Sequence, residues 1–317
     1  MRLPRLKPDY QDTWHHCYNH TAGTRQDRPF DDADKEAFVR ILHKVSVLYT
    51  VRVVAYQVMS NHFHLLLHTP EALPSEEETC RRFEAFHAGK RTLEPNSERC
   101  RQWQARLRDV SWFMRHVEHL FTCWYNRTRP VRRRGALWGS RFKNTLLESG
   151  AAVWACWVYA ERNPVRAKMV PDPAEYRFCS YGAWTQSGRH PFEKNAEEIL
   201  LRMVGPMLHV NDLQEIQQEL RKEFARLAAE EAQQPPQAVE AAIAAAAEPV
   251  TFTLSAQRRV RHWVDGLVIG SEVFVRDAMS RVRPKAAVAK HRLARAALSV
   301  PDVAPVCCWR RLRTIKL

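Results

Sequence analysis

The chain has 317 residues, 45% of them hydrophobic, which is enough for a real core in one extended domain or in two. Forty-nine Lys and Arg against 35 Asp and Glu leave +14, a surplus that attracts phosphate polymers, although composition alone suits an ordinary basic protein equally well. No run of about 18 apolar residues exists and the basic N-terminus MRLPRLKPDYQDTW lacks the apolar core of a secretory signal, so membrane-spanning and secreted classes are set aside.

In chain order, a first strand is predicted from Thr13 to His20, in a stretch rich in His and aromatic residues. Asp31, Asp32 and Asp34 then stand ahead of an apolar pattern at helical spacing (Phe38, Ile41, Leu42, Val45, Leu48), the signature of a helix start. Two short apolar runs, VRVVAYQVM and FHLLLH, split by Ser60-Asn61, read as paired strands. Residues 70–109 are polar, charged and interrupted by Pro, and read as a variable segment with some helix. VSWFMRHVEHLFTCWYN is a helix that ends at RTRPVRRRG, where Pro130 and Gly135 break structure. ALWGSRFKNTLLES reads as a strand, AAVWACWVYAERNPVRAKMV as a helix interrupted at Pro164, and PDPAEYRFCSYGAW as an aromatic closing segment. The expected class is α+β, an antiparallel sheet with helices packed on it.

After residue 186 the character changes. NAEEILLRMVGPML and DLQEIQQELRKEFARLAAEEA are helical, and QQPPQAVEAAIAAAAEP is a low-complexity linker. Residues 251–317 hold 14 Lys and Arg against 4 Asp and Glu, ten of the net fourteen positive charges. Three regions follow: a domain over 1–186, a helical segment and Ala/Pro-rich linker over 187–250, and a basic tail over 251–317. The extension as a whole reads as mostly helical. The eight cysteines show no C-x-x-C spacing, so they read as reduced thiols of a cytoplasmic protein rather than zinc ligands.

Chemistry concentrates at His62-Phe63-His64. On a strand, residues two apart share a face, so both imidazoles meet one cation while Phe63, Leu65 and Leu67 point into the core. An isolated H-x-H is more often a pair of satisfied sheet histidines, and its context decides. AYQVMSNHFHLLLHTP resembles the HUH motif of single-tyrosine transposases, above all the REP-associated tyrosine transposases. RPFDDADKEAFVRIL, GALWGSRFKNTLLES, YAERNPVRAKMV and PAEYRFCSYGAW resemble further blocks of that family, in its order, over about residues 10–185.

The resemblance implies an HUH fold of ferredoxin-like or RRM-like type and a metal-dependent endonuclease and strand transferase acting on single-stranded or hairpin DNA. It implies a tyrosine four residues before an amide that completes the metal site. Tyr159 and Asn163 have that spacing, and i and i+4 share a helix face. The implied metal is Mg2+ or Mn2+ on His62, His64 and Asn163; two imidazoles leave Mn2+ open as the tighter binder. The rival Tyr125 has Arg129 at i+4, which cannot bind a metal. Arg132, Arg133, Arg134, Arg141 and Lys143 are candidate phosphate contacts, Arg141 and Lys143 sharing one face of the expected strand. Trp138, Trp154 and Trp157 are candidates for stacking on bases, with core packing favoured for each. The basic tail is read as a further DNA clamp. Two other readings stand beside cleavage: a domesticated DNA-binding protein, and a water-using hydrolase with Glu161 as a weak base candidate. A monomer and a homodimer both remain open.

Overall fold

The computed structural model describes residues 6–8, 11–24, 27–130, 135–148, 150–232, 263, 266–295 and 306–310. The described elements, in chain order, are β1 (Thr13–His20), α1 (Asp32–Leu48), β2 (Arg52–Val58), β3 (His62–Thr69), α2 (Glu76–Phe86), α3 (Glu98–Leu107), α4 (Val110–Thr128), β4 (Lys143–Leu147), α5 (Ala151–Glu161), α6 (Asn163–Arg166), α7 (Ser180–Ser187), α8 (Glu193–Leu208), α9 (Leu213–Glu231), β5 (Gly266–Gly270), α10 (Glu272–Ser280), α11 (Lys285–Lys290), β6 (Ala294–Arg295) and β7 (Cys307–Arg310). The class is α+β, with mostly antiparallel strands and helices packed on them.

Contacts group the chain into two units that interleave in sequence. One holds Asp9–Lys143 and Arg177–Asn195; the other holds Met1–Pro8, Asn144–Tyr176 and Ala196–Leu317. The composition change at 186 does not coincide with any of the four seams, because the strand and helix of 144–176 find their packing partners late in the chain. We call the first the histidine unit and the second the tyrosine unit.

In the histidine unit, the strands run β2-β3-β1, all antiparallel. Strand alternation puts Phe63 and Leu65 on one face. There Phe63 meets Phe38 of α1 at 4.8 Å and Trp138 at 5.3 Å between ring centres, and Phe38 meets Phe121 of α4 at 5.2 Å. Phe38, Phe63 and Phe121 are fully buried. Burying each apolar side chain of this size contributes about 1.5–3 kcal/mol, which makes this layer the unit's anchor.

Helix α1 starts as the acidic cluster foretells: Asp31 accepts from Asp34 N, and the Asp34 side chain accepts from Asp31 N. The buried Asp34 is also paired with Arg129, whose guanidinium lies 4.2 Å from the Tyr125 ring centre. The Tyr125 hydroxyl donates to Pro29 O at 3.3 Å. These contacts tie α4 to the start of α1 and give both residues a structural task.

The charged segment 70–109 forms two capped helices. Ser75 and Ser97 accept from backbone N–H groups three residues on. Arg82 of α2 donates to Val47 O at 3.1 Å and Tyr49 O at 3.0 Å, satisfying carbonyls that the end of α1 leaves open. The Cys80 and Cys100 sulfurs stand 3.7 Å apart between α2 and α3, and all eight cysteines are free thiols.

In the tyrosine unit, β4 pairs in parallel with β5, β5 pairs antiparallel with β7, and β7 with β6. Leu146, Val268, Val275, Met279, Val288 and Trp309 form one buried cluster between these strands and α10 and α11. Among the described residues the extension is mostly helical, as read, and it also holds the short strands β5, β6 and β7, which were not foreseen because a five-residue strand such as GLVIG looks the same in sequence as a buried helix fragment. Helix α5 is buried along its whole length, from Ala151 to Glu161. Gly150 opens it at φ +72, where a side chain would be strained. Arg162, just past its end, pairs with Glu231 of α9 at 2.6 Å.

Candidate functional site

The face of β3 opposite Phe63 carries His62, His64, Leu66 and His68. The ladder sets His20 against His62, Tyr18 against His64 and His16 against Leu66. Cross-strand partners share a face. One face of the paired strands β1 and β3 therefore bears His16, Tyr18, His20, His62 and His64. The sequence flagged only the β3 pair. The period-2 spacing of His16, Tyr18 and His20 was a readable signal, but the register that sets it beside HFH is a long-range property.

The imidazoles are held by specific bonds. His62 Nδ1 lies 2.7 Å from Asn61 Oδ1, an atom that can only accept, so Nδ1 is the donor, and the neutral form of the ring has its lone pair on Nε2. His64 Nδ1 lies 2.8 Å from His16 Nε2, and the two rings stack at 5.0 Å and 11°. Partners of this kind on the second nitrogen fix ring orientation at metal sites. The His62 and His64 rings are 5.3 Å apart at 89°. With metal–nitrogen bonds of about 2.1 Å, two imidazoles on one cation have ring centres about 5 Å apart, so the pair fits a shared ion. Among the described residues, no group of three His, Cys, Asp or Glu side chains is arranged to hold a metal. A cation on this pair therefore needs a donor of another kind.

Burial deepens along the face. His20 is exposed and His62 half-buried, while His64, Tyr18 and His16 are buried. The face is therefore open to solvent at its His20–His62 end. Tyr18 lies between the imidazoles, its ring 5.6 Å from that of His64, and Lys143 Nζ stands 5.2 Å from the Tyr18 ring centre.

In the tyrosine unit, Tyr159 and Asn163 meet as their spacing foretells, but the contact is to the backbone. Asn163 Nδ2 donates to Tyr159 O at 3.3 Å and to Ala160 O at 3.0 Å. The amide closes the end of α5, which leaves Oδ1 as its donor atom for any metal. Arg162 stands between α5 and α6 at φ −82, ψ 3, and Pro164 follows at the first turn of α6, so the chain breaks at the predicted place. Tyr159 is 2% exposed and stacks on Trp263 at 5.4 Å. Burial pushes its phenol above the ordinary tyrosine value, opposed by Arg166, which sits 4.1 Å from the ring centre. Arg166 also donates to Tyr159 O at 2.8 Å.

The other predicted residues divide as follows. Arg132, Arg133 and Arg134 lie outside the described residues. Arg141 is exposed but precedes β4, so the strand alternation expected to align it with Lys143 does not apply to it; Gly139 and Ser140 delay the strand until Lys143. Trp154 and Trp157 are buried, and Trp157 Nε1 donates to Glu161 Oε1 at 3.1 Å, so both pack in the core and neither offers a face to a base. The same bond and full burial remove Glu161 as an exposed base. Trp138 is half-buried and its indole donates to Thr122 Oγ1 at 3.1 Å. Among the described residues, no helix is long and apolar enough to cross a membrane.

No family model matches the chain, and no curated protein matches it. Among solved structures, it is similar to a REP-associated tyrosine transposase bound to a REP hairpin, with 14% identity and a TM-score of 0.40, over 61% of this chain and 89% of that one. A superposition this loose assigns no chemistry to this chain.

Proposed function

We propose that this protein cuts single-stranded DNA beside a hairpin and retains one end as a 5′-phosphotyrosine. The observation that supports the reading most directly is the histidine pair of β3, with each Nδ1 hydrogen-bonded and the two rings at the separation a shared cation requires. The order of family-like sequence blocks supports the remainder. His62 and His64 would hold Mg2+ or Mn2+, with Asn163 Oδ1 as the third protein donor in the family pattern. When bound, the ion supplies Lewis-acid polarisation of a phosphate.

The chain's own groups do the rest. Once the DNA engages it and water reaches it, Tyr159 gives up its phenolic proton to that water, and its oxygen bonds to phosphorus. The P–O3′ bond breaks and the departing 3′ oxygen takes up a proton. Arg166 over the ring favours the phenolate, while burial favours the phenol, so the nucleophile stays protonated until it is engaged. The phosphotyrosine keeps the energy of the broken diester, and a 3′-hydroxyl that attacks it rejoins DNA without ATP. Arg141 and Lys143, with Arg132, Arg133, Arg134 and the basic tail, contact phosphates.

The test uses the full chain, a single-stranded hairpin oligonucleotide and Mn2+. Wild type forms a covalent protein–DNA adduct and Tyr159→Phe does not. Binding by both without an adduct favours the DNA-binding reading. Equal cutting by both without an adduct favours water. Tyr18 lies on the histidine face, so an adduct that survives Tyr159→Phe and is lost in Tyr18→Phe moves the nucleophile to the sheet.

A further inference from the structure

The histidine pair needs a donor outside the His, Cys, Asp and Glu set, and β2 offers one on the same sheet. Gln57 is paired in the ladder with His64. Cross-strand partners share a face, so the Gln57 side chain rises beside His64, on the side of the imidazoles and away from Phe63. Its backbone is held on both flanks, by β3 on one and by the bridge to Cys179 on the other. Gln57 is 0% exposed, and neither its Oε1 nor its Nε2 has a hydrogen-bond partner. A buried amide with both ends unmet is costly, and sequences that fold well rarely leave one in a strand where Leu or Val would pack. An orphaned oxygen beside an oriented imidazole is what a cation would satisfy. The carbonyl oxygen of an amide is a suitable donor for Mg2+ or Mn2+.

We propose that Gln57 Oε1 is a ligand of the cation held by His62 and His64, so that three side chains of the neighbouring strands β2 and β3 bind the metal. The inference rests on the metal reading given above, and it deepens that reading. It makes the cation site a property of the histidine unit alone, with Asn163 added to it rather than required for it. Cation binding then precedes and does not depend on the tyrosine helix.

The test measures Mn2+ binding to the full-length protein without DNA, by titration calorimetry and by the Mn2+ electron paramagnetic signal. Wild type binds, and His64→Ala abolishes binding. Gln57→Leu weakens Mn2+ by about tenfold or more, in the range expected for lost coordination-shell partners, while its metal-free melting temperature stays level or rises. Gln57→Glu, of the same shape with a stronger oxygen donor, keeps or tightens binding. Asn163→Ala changes Mn2+ affinity less than Gln57→Leu does. Gln57→Leu with wild-type Mn2+ affinity overturns the inference and leaves the histidine pair intact. Equal binding by wild type and His64→Ala, or none by either, overturns the metal reading itself. The wild-type protein gives an arm free of folding artefacts. In chain labelled with 15N at glutamine side chains, sub-stoichiometric Mn2+ broadens one amide pair, absent from the Gln57→Glu spectrum, before the rest. Uniform broadening of all of them also overturns the inference.

Discussion

In the histidine unit, polar side chains gather on one sheet face and are held by short bonds to one another: His64 to His16, His62 to Asn61. In the tyrosine unit, the tyrosine stands on a helix with no polar face, every residue of it buried, and Asn163 and Arg166 donate to its backbone carbonyl. The first arrangement presets direction. Rings fixed on a rigid strand can hold a ligand without rearranging. The second presets position and suppresses charge, since burial holds Tyr159 as a neutral phenol. On the proposed function, a cation site that is set before binding and a nucleophile that is masked until engaged would be two ways to keep a DNA-cutting group from acting at random.

The largest expected effect separates the two halves by what each loses. His64→Ala abolishes Mn2+ binding and lowers adduct formation by at least about a thousandfold, the several kcal/mol that metal activation supplies. Tyr159→Phe lowers adduct formation as far but leaves Mn2+ affinity unchanged. Single-turnover gels beside metal titrations check both, and a Tyr159→Phe protein that also loses Mn2+ breaks the division.

Next is the core role of the tyrosine helix. Trp157 is fully buried and bonded to Glu161, so Trp157→Ala costs about 3–5 kcal/mol in chemical denaturation. A cost under about 1 kcal/mol would show that α5 is not the packed element described.

A pH experiment sharpens the contrast from the other side. Burial lowers His190 of the histidine unit to about 4. Its unfolded value is near 6.5, so between these values the unfolded chain binds more protons than the folded one. Its contribution to stability is therefore complete above about pH 6.5 and is lost as pH falls through 4, by up to about 3 kcal/mol. His190→Gln flattens that limb of the stability curve, and an unchanged acid limb would remove His190 as its cause.

The smallest effect concerns phosphate contacts. Arg141→Ala reduces the slope of log affinity against log salt by about one contact for hairpin DNA, whatever its sequence. An unchanged slope makes Arg141 a solvated surface charge.

Much of the histidine unit was legible. Strands β2 and β3 follow from two short apolar runs split by Ser60-Asn61, helix α1 from acidic residues ahead of an apolar helical pattern, and β1 from a His- and aromatic-rich stretch, and the assignment of Phe63 to the core and His62 and His64 to the other face follows from alternation alone. The break after α5 was written in Asn163-Pro164. The missed parts were those set by distant pairing. His16, His20 and Gln57 join the site only through cross-strand register, and a shift of one residue would turn each away. Of the strands in the tyrosine unit, β4 was legible, while β5, β6 and β7 were missed because GLVIG, AR and CCWR are too short to declare their period. Arg141 was misplaced because the strand was read from Ala136, whereas it begins only at Lys143. Trp154 and Trp157 look the same in sequence whether they stack on a base or fill a core.

One pairing also sets a clock. Leu146 lies against Val268, and Tyr159 against Trp263, across a gap of roughly 120 and 100 residues of chain. A ribosome adding about 5–20 residues per second leaves β4 without its parallel partner for roughly 6–24 s after it is made. By then β1, β2 and β3 have long been complete. On the proposed chemistry, a growing chain has its cation face before its nucleophile is seated, and a half-made protein is harmless to the DNA around it.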